Sequence, residues 1–210
     1  MSLLDSITPR ENTSDAWIKT EMHRDYRFLN MGVGDVALDL GAHIGYFALY
    51  ALDQGVSHVF CYEPDEANFG ELTRNTADHP VTRENAAIAA EDGWGTLYLS
   101  NSGDKAAHST IDYRGREGVE VRTRSFADVL ASAAPDIVKV DIEGGEYDIS
   151  FAHLPDKVRG ITIEFHLGRK TFREYGVPRI EAELRAKKFS PVNEVGVTRT
   201  SWNETVTWLR

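Results

Sequence analysis

One stretch, Val36-Ala-Leu-Asp-Leu-Gly-Ala-His-Ile-Gly-Tyr46, restricts the possible folds more than any other part of the chain. An apolar strand carries Asp39 near its end and opens through Gly41 and Gly45 into a helix, the strand-turn-helix unit that nucleotide-type folds place under a cofactor. Glu63 closes a second apolar run, His58-Val-Phe-Cys-Tyr-Glu, 22 residues after Gly41. That is about where a dinucleotide-type fold sets its ribose-binding acid. Together the two signals predict a cofactor site at the carboxyl ends of neighbouring strands.

Around this unit the apolar periodicity alternates between strand and helix: 36–40, 44–54, 58–63 and 66–77. Such βαβα order predicts a mainly parallel sheet with helices on both faces. Ahead of it, Ser14 and Asp15 in cap-like positions and Trp17, Ile18, Met22, Tyr26 and Leu29 at helical spacing predict a leading helix over 14–30. After it, short strands are expected ending at Ala86–Ala89, over 93–100 and over 119–123, with a long polar loop at 101–118. The parallel pattern resumes with a strand at 137–141, a helix from about Gly145, a strand at 161–166 and a helix over 178–188. Two closing strands, near 191–198 and 202–209, predict a hairpin on the parallel sheet.

Composition narrows the function classes. Thirty-three acidic against 23 basic side chains give a formal charge of −10, which disfavours a phosphate backbone as partner. Arg114, Arg116, Arg122 and Arg124 are interrupted by acids and glycines and read as a solvated face. No apolar run approaches the roughly 20 residues of a membrane span, and Met1–Ser6 lacks a secretory pattern, so the expected address is cytoplasmic. The lone Cys61, inside a strand, reads as a small buried hydrophobe. Trp94 and Trp202 are expected to pack on the sheet.

The first turn is Gly-x-x-x-Gly, which lacks the Gly-x-Gly-x-x-Gly of a pyrophosphate-binding turn and favours a phosphate-free adenosyl ligand. The Glu63 carboxylate can accept hydrogen bonds from both hydroxyls of a ribose, and Pro64 ends the strand there. The tight turn by itself fits a purely structural glycine requirement equally well.

Four blocks in order, Val-Ala-Leu-Asp-Leu-Gly-Ala-His-Ile-Gly-Tyr-Phe-Ala-Leu, Tyr-Glu-Pro-Asp-Glu-Ala-Asn-Phe, Ile-Val-Lys-Val-Asp-Ile-Glu-Gly-Gly-Glu and Ile-Glu-Phe-His, resemble the FkbM-type S-adenosylmethionine-dependent methyltransferases between about Met31 and His166. The resemblance implies an α/β, Rossmann-like class I methyltransferase fold: seven strands in order 3-2-1-4-5-7-6, strand 7 alone antiparallel, with helices on both faces. A 1–30 helical lead would precede a 31–210 methyltransferase domain, single overall. Carried over by position, Asp39, Gly41, Ala42, His43 and Gly45 would surround the methionine part of S-adenosylmethionine and Glu63 would hold its ribose. Ala87, ending the third strand, would lie against the adenine. Family members often carry Asn where this chain has His43.

A second group, Asp141 with Glu143 and Glu164 with His166, has side chains two apart at strand carboxyl ends, so the four can converge. Glu143 could equally cap a following helix, and His166 could serve as a structural hydrogen bonder. A neutral hydroxyl gains from a base during methyl transfer, and the expectation assigns that role to His166, oriented by Glu164, with Asp141 fixing the acceptor or the cofactor's amino end. Glu143, His108 and Ser109 are the acceptor-side candidates; the His108-Ser109-Thr110 segment resembles a small polar stretch of the family. The same four residues could hold a hard cation such as Mg²⁺, a divalent metal ranking below the base and not expected.

The expected function is O-methylation of a hydroxyl on a sugar, glycan or polyketide-like natural product, the acceptor range the resemblance suggests. Methylation of RNA or a nucleotide through Lys139, Asp141 and Glu164, and a noncatalytic adenosyl-binding regulatory module, are the alternatives. A lead of about thirty residues is expected to leave the acceptor site fairly open.

Overall fold

The computed structural model describes residues 2–100, 108, 109, 112, 115–192, 198, 199 and 203–210. In chain order the elements are α1 (Asp15–Asp25), β1 (Val36–Leu40), α2 (Tyr46–Asp53), β2 (His58–Tyr62), α3 (Glu66–Asn75), β3 (Val81–Glu84), β4 (Ala87–Ala89), β5 (Gly93–Tyr98) and β6 (Gly118–Ser125). Then follow α4 (Phe126–Ala133), β7 (Ile137–Val140), β8 (Gly160–His166), α5 (Val177–Ala186), β9 (Ser190–Pro191), β10 (Thr198–Arg199) and β11 (Asn203–Leu209).

The main sheet runs β3-β2-β1-β7-β8-β11-β10, with β9 also on β11. Its first five strands are mutually parallel, and β11 is antiparallel to β8, β9 and β10. Counting β9 and β10 together as the sixth strand of the class, this is the order 3-2-1-4-5-7-6 with strand 7 antiparallel. A small second sheet, β4-β6-β5, branches off between β3 and α4.

The alternation of side chains along the central strands builds two cores. Leu38, Leu40, Val138, Val140, Ile161 and Ile163 face α4 and α5, meeting Phe126, Leu130, Ile180 and Leu184. Ala37, Val59, Cys61 and Ile137 face the other way, onto α2, with Met22 of α1 and with Leu4 and Ile7 of the N-terminal segment. The lead thus docks on α2, and Leu3 N also reaches the Asp53 carboxylate at its end. Cys61 is buried, as its place in a strand predicted.

Several expectations change. The leading helix stops at Asp25; a 3-10 turn, Arg27–Leu29, follows and Asn30 turns into the left-handed region at φ 50°. No α-helix starts at Gly145: two 3-10 turns, Gly145–Tyr147 and Phe151–His153, lie there instead. The cause is a sharp bend at Glu143 (φ 51°) and Gly144 (φ 104°), held by the Glu146 carboxylate accepting from Gly144 N at 2.9 Å. The third strand ends at Glu84, so Ala87 opens β4 in the small sheet. Trp94, on that sheet, is 71% exposed and does not pack a core. Trp202, Arg114, Thr110 and most of the expected 101–118 loop lie outside the described residues. Among the described residues no helix is long and apolar enough to cross a membrane.

Candidate active site

The strand register explains how the site assembles. Asp39 stands beside Cys61 on one neighbour and Lys139 on the other, while Lys139 stands beside Thr162. One sheet face therefore carries a polar row that continues into Asp141, just past β7, and Glu164, near the end of β8. Lys139 Nζ lies 3.2 Å from Asp39 Oδ1 and 3.6 Å from Asp141 Oδ2, and donates to the Gly41 carbonyl at 2.5 Å. Burial pushes the Asp39 carboxyl up while the ammonium opposes it, and burial lowers Lys139 less than Asp39 and Asp141 raise it. A buried charge stripped of its partner is costly. Lys139→Met is expected to destabilise the chain by about 3–5 kcal/mol, measured by urea unfolding.

A cavity of about 290 Å³ opens at the strand carboxyl ends. Its first end is lined by Gly41, Ala42 and His43 of the turn after β1, Glu63 after β2, and Ala87 and Ile88 of β4. Gly41 is obligatory there: at φ 78° a side chain is strained, and a Cβ would sit 1.8 Å from the Asp141 carbonyl oxygen. Asp39 and Gly45 do not line the cavity. Asp39 lies beneath the turn with Lys139, and Gly45, at φ 101°, precedes α2.

The Glu63 carboxylate accepts from His43 N at 2.8 Å and from Asp65 N at 3.0 Å, and burial, the largest influence, raises its pKa to about 7. Burial lowers His43 to about 4, keeping it neutral. Arg10 donates to its Nε2 at 3.0 Å, which leaves Nδ1 as the protonated nitrogen; that atom is buried without a hydrogen-bond partner. Arg10 also grips both Asp15 oxygens and the Asn68 Oδ1, so the N-terminal segment is wired to the turn and to α3.

The second end holds Asp141, Glu143 and Glu164 against His166. His166 Nε2 lies 3.2 Å from Glu143 Oε2 and 3.9 Å from both Asp141 Oδ1 and Glu164 Oε1. Orientation comes from Glu146 rather than the expected Glu164: its Oε1 accepts from His166 N at 2.7 Å and lies 3.3 Å from Nδ1. Glu164 instead takes the Asn203 amide of β11 at 2.6 Å. Burial disfavours charge on His166, but Glu143 and Glu146 outweigh it and lift its pKa well above 6.5. Burial likewise raises Glu143 and Glu164.

Glu146 escaped the sequence reading because a fully buried Glu just after a predicted helix start resembles an ordinary first-turn acid. His108 lines the cavity at its Glu63 end, away from the Asp141 and Glu164 carboxylates: its Nε2 is 3.5 Å from Asp65 at the start of α3, and Ser100 N donates to its Nδ1 at 2.8 Å. Ser109 is buried and does not line the cavity; its hydroxyl donates to the Glu143 carbonyl, steadying the bend. The third wall was not anticipated. Ser14, just ahead of α1, and Trp17, Ile18 and Glu21 of α1 face the cavity, with Met22 and Tyr26 beneath, Tyr26 packed edge-on against Phe47 of α2. The short lead is therefore a wall of the site, and Trp17 stands at its rim 62% exposed.

A glycine turn, an acid after the second strand and a carboxylate-rich end on a 3-2-1-4-5-7-6 sheet define a class I methyltransferase. The family model described as the methyltransferase FkbM domain matches residues 39–191, and the chain belongs to that family. A crystal structure of methyltransferase FkbM from Methylobacillus flagellatus is similar at TM-score 0.57 and 16% identity, over 91% of this chain and 48% of that one. The chain thus spans about half the length of that protein. A precorrin-6y C5,15-methyltransferase from Geobacter metallireducens is similar at TM-score 0.53 and 12% identity, over 97% and 93% of the two chains. At these identities the two likenesses show the fold. No curated protein sequence matches.

Proposed function

We propose that the chain transfers a methyl group from S-adenosylmethionine to a hydroxyl of a sugar, glycan or polyketide-like acceptor. The observation that carries this reading is one continuous cavity with a hydroxyl-accepting carboxylate, Glu63, at one end and the Asp141, Glu143 and Glu164 cluster at the other. The residues fit an adenosyl ligand: Glu63 for ribose hydroxyls, apolar Ala87 and Ile88 for a base, and the backbone of Gly41 and Ala42 open to close approach. When bound, the sulfonium supplies an already activated methyl, so the work left to the protein is alignment.

Trp17 and Ile18 offer an apolar face on which an acceptor ring can lie, directed toward the carboxylate end. There the hydroxyl proton passes into the Asp141, Glu143, Glu164 and His166 group, which acts as a coupled unit. Glu146 keeps Nδ1 of His166 occupied and turns Nε2 toward the site. The RNA alternative loses its lysine, because Lys139 is buried and engaged with Asp39, Asp141 and the Gly41 carbonyl. The acidic balance of −10 points the same way.

Cofactor affinity is expected to depend on pH through Glu63. With a pKa raised to about 7, its carboxylate fraction falls as pH drops below that value, and with it the capacity to accept two hydroxyl donors. S-adenosylmethionine should bind more weakly at pH 6 than at pH 8, and Glu63→Gln should bind weakly at both. A pH-independent dissociation constant in the unsubstituted chain would remove Glu63 from the ribose site. Incubation with isotopically labelled S-adenosylmethionine and glycan or metabolite extracts tests the reaction: label in a base-stable ether product supports O-methylation, and label in an amine product replaces it.

A further inference from the structure

We infer that Asp141, Glu143 and His166 bind one divalent cation of the Mg²⁺ or Mn²⁺ class at the acceptor end of the cavity. The inference rests on the methyl-transfer reading for what the ion does, though not for where it sits. It reverses the ranking that the residue types alone suggested.

The candidate donor atoms of these three residues all lie within 4.8 Å of one another. The His166 Nε2 to Glu143 Oε2 distance of 3.2 Å and the Nε2 to Asp141 Oδ1 distance of 3.9 Å suit neighbouring ligands. Around an octahedral ion at ~2.1 Å, adjacent ligands stand about 3 Å apart. A small adjustment of Asp141 completes a three-sided cradle.

Carboxylates gathered at a strand end would not by themselves mark a site. The independent observation is His166: the residue is 6% exposed, and its buried Nε2, aimed between Asp141 and Glu143, forms no hydrogen bond of proper geometry, its nearest carboxylate oxygen being Glu143 Oε2 at 3.2 Å. Glu146 occupies the other ring nitrogen and the His166 backbone amide. A carboxylate on the far nitrogen is how proteins fix the tautomer and ring plane of a metal-ligating histidine. The nearby cation, Lys139, is already divided among Asp39, Asp141 and the Gly41 carbonyl.

Asp141, Glu143 and Glu164 line the cavity, so the remaining positions of the ion face the acceptor. Glu164 Oε1, 3.9 Å from Nε2 and held by Asn203, stands by as a partner for a water on the ion. An ion so placed would fix the acceptor hydroxyl and lower its pKa, giving the carboxylate-rich end a purpose. One imidazole and two carboxylates suit Mn²⁺ or Mg²⁺ better than the sulfur and multi-histidine sites of zinc or copper.

The test is titration of MnCl₂ into the chelator-stripped full chain, followed by the loss of the free Mn²⁺ paramagnetic signal. S-adenosylhomocysteine is titrated separately into the same preparations by calorimetry. One Mn²⁺ per chain is expected. Asp141→Asn and Glu143→Gln should each weaken it at least about tenfold, Glu146→Gln about 10–100-fold through the histidine, and Glu120→Gln, at an exposed position of β6 that does not line the cavity, not at all. No saturable Mn²⁺ binding, or binding indifferent to Asp141→Asn and Glu143→Gln, overturns the cation site even if S-adenosylhomocysteine binds normally. Mn²⁺ binding without S-adenosylhomocysteine binding upholds the site and overturns the transferase reading instead.

Discussion

Gly41→Ala is expected to destabilise the chain by about 2–5 kcal/mol, combining left-handed strain of about 1–2 kcal/mol with overpacking of about 1–3 kcal/mol. The new Cβ would sit 1.8 Å from the Asp141 carbonyl oxygen and 2.9 Å from its carbon. That neighbour cannot step aside. Asp141 N is bonded to Leu40 O at 3.0 Å, and Lys139 ties the Gly41 carbonyl into the same junction. Gly45→Ala meets only the side-chain ends of Leu72 and Thr76, each at 3.1 Å, and should cost less despite its own φ of 101°. For a chain of this size the Gly41 change should lower Tm by about 5–15 °C. Scanning calorimetry of both variants checks the order, and a Gly41→Ala Tm equal to that of the unsubstituted chain would show that the turn does not press on β7 as described.

His166→Ala is expected to lower kcat by about 10²–10⁴-fold while leaving the dissociation constant for S-adenosylmethionine within about threefold. The imidazole is 3.2–3.9 Å from the Glu143, Asp141 and Glu164 carboxylates that line the cavity, and does not itself line it. The proposed proton acceptance by the cluster and the proposed cation site both include His166, so this variant tests the cluster and the Mn²⁺ titration separates the two roles. Glu146→Gln, a positioning change, should show a smaller loss of kcat with KM for the acceptor raised. Unchanged turnover in His166→Ala would discard the cluster as the reacting end.

The sheet was largely legible because its strands alternate cleanly between two cores. Leu38 and Leu40 go one way and Ala37 the other, and each strand is followed by a helix or tight turn. Glu63 stood out through its place at the end of an apolar strand 22 residues after Gly41, and it lines the same cavity as Gly41. The bend at Glu143–Gly144 was not, since its geometry depends on a carboxylate three residues on, Glu146, folding back inside. Periodicity reads the acidic, glycine-containing stretch only as a helix start. The wall formed by α1 was hidden for a related reason. Its sequence states a helix, but only the docking of Met22 and Tyr26 onto α2 decides that Trp17 and Glu21 look into the cavity. Likewise the tie between Arg10, Asp15 and His43 joins residues 33 apart at its ends, beyond the reach of local spacing.

The same wiring ties the N-terminal segment to the turn that lines the cavity. Arg10 fixes the tautomer of His43, so the buried Nδ1–H is presented by the turn. Asp15 at the start of α1 and His43 of the turn after β1 therefore share Arg10 as a common support.

Calorimetric titration of S-adenosylhomocysteine into the full chain at pH 8 is the most direct measurement of the cofactor site. One saturable site per chain is predicted, weakened at least about tenfold by Glu63→Ala, the loss of one charge-assisted hydrogen bond or more. Absence of saturable heat from a folded chain, or affinity unchanged by Glu63→Ala, would contradict the placement of an adenosyl ligand between the Gly41 turn and Glu63.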